Sequence, residues 1–118
     1  MSKRQTQEQR RAAQAWKYVH GEVKGAKFAN EYKALVSSAP ADIQTNGLGQ
    51  TLAFWRSKGK DEHKTLCQHL STWVVQEMGE SGDLLRWITQ TDSRRYRQAT
   101  VEAIAFLGWL KRFAQGEL

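Results

Sequence analysis

Apolar residues recur along most of this chain at three- and four-residue spacing, the period of a helix with one buried face. Ala12, Trp16, Val19 and Val23 form the first such stripe. Thr6 and Gln9 precede it with the spacing of a capping box, in which each side chain bonds the other residue's backbone N–H, so a first helix is predicted from about Thr6. Gly21 or Gly25 should end or bend it. A second helix is predicted from about Ala26 to Ser38, burying Phe28, Tyr32, Leu35 and Val36. Pro40, the single proline, costs nothing in a first helical turn, so a third helix is predicted from Pro40 to about Lys58. After a break at Ser57–Asp61, Asp61 is expected to cap a fourth helix that uses Leu66, Leu70, Trp73 and Val74. Gly79 to Gly82 breaks the chain again, before a short fifth helix carrying Leu84, Leu85 and Ile88. Asp92 or Ser93 should cap a sixth helix, from about Ser93 to Gln115, with Gly116 as its stop. No segment reads as a strand. The expected fold is all-α, a compact bundle of five to seven helices in a single domain over residues 1–118.

Two of these helices carry more apolar surface than one contact needs. In Gln44–Trp55, Leu48, Leu52 and Trp55 share one face, while Ile43 and Phe54 fall opposite. A helix packed on both sides would use both. Asn46-Gly47 is also a favoured hairpin turn, but its flanks do not alternate polar and apolar residues. In the sixth helix, Tyr96, Ala99, Ala103, Phe106, Leu110 and Phe113 make one face, and Val101, Ile104 and Gly108 a second. Exposed apolar patches are limited in soluble monomers, which favours a central position for this helix. The competing reading makes Val101, Ile104 and Gly108 a protein interface.

At 118 residues with 40% hydrophobic content and five tryptophans, the chain is long and apolar enough to bury a core. Its formal charge of +6 points to a polyanionic partner without locating a site. Cys67 is the single cysteine, so no internal disulfide forms, which suits a reducing compartment. There is no apolar signal core near the start and no run approaching the ~20 apolar residues a bilayer span requires. A cytoplasmic protein without membrane contact is expected.

Catalytic chemistry finds little support. Asp61, Glu62, Glu80, Asp83 and Asp92 lie near predicted helix ends, where the dipole favours carboxylates. No Asp-x-Asp pair, nucleophile elbow or phosphate loop is present. His63 and Cys67 are four apart on one helix, but a structural zinc needs about four ligands and no second pair matches. His69 falls on another face and His20 stands alone, so Cys67 is read as a small apolar residue and neither metal nor cofactor is expected. Basic residues remain. Lys3, Arg10, Lys17 and Lys24 recur every seven positions, a stripe that could follow a phosphate backbone unless Gly21 breaks its register. Arg56, Lys58, Lys60 and Lys64 straddle the third-to-fourth helix junction. Arg94, Arg95 and Arg97 open the last helix, where cations oppose the dipole and an external phosphate would relieve them. Arg95 leans toward the core face, where it would pair with a carboxylate. Lys17, Lys24, Arg56, Lys58, Lys60, Lys64, Arg94 and Arg97 are thus the candidate nucleic-acid contacts. An alternative reads Leu84–Gln90, a turn and the arginine-led helix as a helix-turn-helix DNA-binding regulator.

Thr45-Asn46-Gly47-Leu48-Gly49-Gln50-Thr51-Leu52-Ala53-Phe54 closely resembles a signature of one prokaryotic family. A second block agrees: Asp92, Tyr96-Arg97, Thr100, Glu102-Ala103 and Ala105 to Ala114 resemble that family's C-terminal helix. The family is the small subunit of the Cmr, or type III-B, CRISPR effector complex. The resemblance implies a non-catalytic structural subunit of an RNA-guided, RNA-targeting complex. It implies several copies stacked beside the backbone subunits, near the guide RNA and target RNA. It assigns target cleavage to the backbone subunit and nucleotide signalling to the large palm-domain subunit.

Overall fold

The computed structural model describes residues 4–118. Six helices follow one another: α1 (Gln7–Tyr18), α2 (Ala29–Asn46), α3 (Leu48–Lys58), α4 (Asp61–Glu77), α5 (Leu84–Ile88) and α6 (Ser93–Glu117). A π-helical turn, Val19–Val23, continues α1. No strand occurs among the described residues. The all-α expectation therefore holds.

Local chemistry explains most boundaries. The capping box is complete, with Gln9 N–H donating to Thr6 Oγ1 at 3.0 Å and Thr6 N–H to Gln9 Oε1 at 2.9 Å. The widened turn spans Gly21, and the chain leaves it at Lys24. Asp83 caps α5 and Asp92 caps α6, each accepting from the backbone N–H three residues on. Two expected ends are corrected. Lys60, not Asp61, precedes α4, and Asp61 serves in its first turn, where its charge still suits the dipole. α6 runs through Gly116 to Glu117, because a solvent-facing glycine with ordinary helical backbone is no stop.

The largest correction concerns Pro40. α2 passes through it and ends at Asn46. Val36, Ala39 and Ile43 are buried on either side, and that burial holds the helix together across the missing N–H. The break falls at Gly47, whose φ of 89° and ψ of 156° are open essentially to glycine alone. The predicted Pro40–Lys58 helix is thus two helices meeting at a corner. Thr51 braces the corner, its hydroxyl donating to the Gly47 carbonyl at 2.8 Å with the Asp42 carbonyl at 3.3 Å. Tyr96 on α6 accepts the Gly49 N–H at 2.9 Å, and a Cβ at Gly49 would stand 3.3 Å from that hydroxyl oxygen. Ile43 and Phe54 consequently do not share a buried face: Ile43 is 2% exposed and Phe54 56%.

α6 lies against α1, α2 and α4, and α4 in turn packs on α2 and α3. Ala99, Ala103, Phe106, Leu107, Leu110 and Ala114 of α6 join Tyr32, Leu48, Leu52, Trp55, Leu66, Leu70 and Leu84 in one core. The central position of α6 covers only one side of it. Val101 is 66% exposed, Gly108 is exposed and Ile104 half-buried, so the second face is not core.

Two polar networks cross the interior. The Glu102 carboxylate accepts from Arg11 at 2.7 and 2.8 Å, from the Trp73 indole at 2.9 Å and from Gln7 at 3.2 Å. His69, 2% exposed, stacks on Tyr18 with ring centroids 3.9 Å apart. Its Nε2 lies 3.0 Å from Glu22 and its Nδ1 2.8 Å from the Tyr32 hydroxyl. A carboxylate only accepts, so the neutral ring carries its proton on Nε2 and Nδ1 accepts from Tyr32.

Candidate nucleic-acid and protein interfaces

Ion pairing separates the basic residues into those already engaged and those available. Lys3 lies outside the described residues. Arg10 donates to Glu77, with Nη1 at 3.0 Å. Lys24 sits 3.6 Å from Glu117, and Lys17 is exposed with no acidic partner among the described residues. The π-turn inserts extra backbone between Lys17 and Lys24, so the seven-residue stripe does not continue in one line.

At the α3–α4 junction, Arg56 bonds Asp83, the α5 cap. Burial works against its charge and the Asp83 carboxylate favours it, and the balance lies above the ordinary arginine value. Burial likewise pushes the Cys67 thiol up despite Arg56, so Cys67 is a packed thiol, not a thiolate. Lys58 extends over the Phe54 ring, 5.1 Å from its centroid. Lys60 shares a shallow groove with Lys27, Glu31, Asp61 and Glu62, and Lys64 a neighbouring one with Arg56, Gln68 and Asp83. Lys27 had no place in the sequence reading, because only the fold brings the start of α2 beside the start of α4.

At the start of α6, Arg95 leans inward as its position implied. It donates to the Met78 carbonyl at 2.9 Å and to Glu80 at 3.1 Å, and lies over Trp87. Arg94 and Arg97 are exposed and make no ion pair among the described residues. The 25 residues of α6 place this end about 36 Å from the Lys24–Glu117 end. The candidate cations therefore do not converge on one pocket. They are spread over a body whose principal extents are 46, 39 and 23 Å.

The outward face of α6 is also a shallow groove, in which Glu8 and Arg112 flank Ile104, Gly108 and Trp109. No group of three or more histidine, cysteine or acidic side chains is placed to hold a metal among the described residues.

A family model described as CRISPR-associated protein (Cas_Cmr5) matches residues 7–117. The chain belongs to the Cmr5 family. It is 31% identical over 105 residues to the CRISPR system Cmr subunit Cmr5 of Thermus thermophilus, covering 88% of this chain and 89% of that relative. It also superimposes on the crystal structure of a CRISPR-associated Cmr5 family protein from the same organism with a TM-score of 0.83. That match covers 97% of this chain and 99% of the other at 29% identity. The small-subunit resemblance carried by the two sequence blocks is thereby borne out. The helix-turn-helix alternative is given up. As a Cmr5-type helix bundle the chain needs no such motif, and α5 has only five residues, with Leu84 and Ile88 buried and Arg95 tied to α4's end.

Proposed function

We propose that this Cmr5-family chain is a non-catalytic structural subunit that contacts guide and target RNA through its basic surface. The carrying observation is that Lys17, Lys58, Lys60, Lys64, Arg94 and Arg97 are exposed and free of acidic partners among the described residues, whereas Arg10, Arg11, Arg56 and Arg95 are consumed by ion pairs. Cations spread over a surface suit a phosphate backbone whose sequence is read by base pairing between RNAs. Lys24 and Arg56 contribute once their internal carboxylate partners are displaced.

Copies of the chain stack beside the backbone subunits of the Cmr complex, with the large palm-domain subunit as a further partner, and cleavage and signalling belong to those subunits. The α6 face at Val101, Ile104 and Gly108 meets a neighbouring protein chain. The setting is the cytoplasm, and no described helix is long and apolar enough to cross a membrane.

Complexes reconstituted with Arg94→Glu/Arg97→Glu, or with Lys58→Glu/Lys60→Glu/Lys64→Glu, test the RNA contact. RNA retention should fall with unchanged helical circular dichroism, and the salt dependence should flatten by about 0.7 log units per lost single-strand phosphate contact. Wild-type retention and salt slope in both variants would discard the RNA contact.

A further inference from the structure

The signature around Asn46–Phe54 is only partly explained by the fold. Gly47 makes the corner, Gly49 admits Tyr96, Thr51 braces the two helices, and Leu48 and Leu52 fill the core. Asn46, Gln50 and Phe54 do none of this. They stand four residues apart, all exposed, along one outer edge of the corner. With Asp42, Thr51 and the rim of Trp55 they line a groove of about 310 Å³.

The groove's free chemistry is specific. Thr51's hydroxyl is committed to backbone carbonyls, and Asp42 has one oxygen near Ser38 at 3.2 Å. The carboxamides of Asn46 and Gln50 have no hydrogen-bond partner among the described residues, and each offers both donors and an acceptor. The Phe54 ring is more than half exposed, and the Lys58 ammonium sits over it. A docking seat for an apolar protein side chain would have an apolar floor. Here the apolar surface is the Phe54 ring with the rim of Trp55, bordered by two amides, a carboxylate and a cation. An aromatic face for stacking, amides and a carboxylate for the polar edge, and a lysine for the adjoining phosphate are the elements that hold an unstacked nucleobase.

The geometry points to a nucleobase pocket at the α2–α3 corner, where an unpaired RNA base stacks on Phe54 with its edge against Asn46, Gln50 and Asp42. Asp42 only accepts, so it takes an N–H of the base edge, while Asn46 and Gln50 answer acceptors and donors alike, and the pocket receives an unpaired base without depending on its identity. This rests on the RNA contact proposed above and adds base contact to what is otherwise backbone contact.

Complexes reconstituted with this subunit, guide RNA and a mixed-sequence target RNA would be irradiated with ultraviolet light and their adducts mapped by mass spectrometry. The segment holding Asn46 to Phe54 should carry nucleobase adducts. Phe54→Ala should lower that yield about tenfold, within the range of one lost base–aromatic stack. Phe54→Trp should keep the yield. Adducts confined to the lysine and arginine clusters would overturn the pocket and leave the RNA contact standing. No adduct anywhere on the chain would sink both. A folded Phe54→Ala chain that fails to enter the complex before target RNA is added would make the groove a protein seat and overturn the pocket too.

Discussion

Glu102 is the carboxylate on which α1, α4 and α6 meet. Burial alone would raise its pKa, but bonds from Arg11 and the Trp73 indole more than offset that and hold it below the usual glutamate range. Its stabilisation is present above the unfolded value of about 4.3 and is lost as pH falls through the lowered folded value. His69 acts higher on the scale. Burial lowers its pKa although Glu22 pulls the other way, so the unfolded chain takes up its proton more readily than the folded one. Stability should therefore begin to fall below pH ~6.5, where the unfolded histidine titrates. Urea melts across pH should show two acid-side losses, the upper one removed by His69→Gln and the lower by Glu102→Gln. Glu102→Ala at neutral pH leaves the Trp73 N–H unpaired and Arg11 with only its exposed partner Glu8, and should cost about 2 kcal/mol in the same melts. None of these partners could be read from the sequence. Arg11 and Glu102 are 91 positions apart, and many charge pairings fit the same string.

The α2–α3 corner shows what short-range signals reveal at the scale of an element. Gly47→Ala places a side chain at φ 89°, ψ 156° and should cost about 2 kcal/mol. Tyr96→Phe removes the acceptor for the Gly49 N–H and should cost about 1 kcal/mol, both read by thermal or urea unfolding. Pro40→Ala should stabilise on the order of 1–2 kcal/mol, since the helix penalty of an interior proline exceeds its effect on the unfolded chain. Unchanged or lowered stability there would mean the chain is shaped around the ring. The capping box, the Asp92 cap and the inward lean of Arg95 were legible because their determinants lie within a turn of one another. Pro40 misled because its preference for a first turn is local, while the buried Val36, Ala39 and Ile43 that carry α2 through it act through tertiary contact. The same limit separates the candidate cations. Sequence spacing placed Arg56 beside Lys58, but only the fold shows Asp83 already holding it.

Across the whole molecule, α6 is central yet open on one side. A Cβ at Gly108 would meet nothing within 4 Å, so Gly108→Leu should fold and gain about 0.5–1 kcal/mol by removing a glycine from a helix interior. Incorporation into the complex should nevertheless drop, as measured by co-purification of the other subunits. Normal incorporation would clear that face of a partner. α1 contrasts with the other long helices. Of its residues only Ala15 and Tyr18 are buried, and its first half is fastened by Gln7 and Arg10 to Glu77, by Gln7 and Arg11 to Glu102, and by Glu8 to the Trp109 indole. Exposed ionic fastenings, such as that of the half-exposed Arg10, weaken as salt rises, whereas buried pairs and apolar packing do so far less. The first two turns of α1 should therefore open ahead of the rest. Their amides should exchange with deuterium ahead of those in α4 and α6, and faster still in molar salt, so that the bundle sheds its leading edge before it melts.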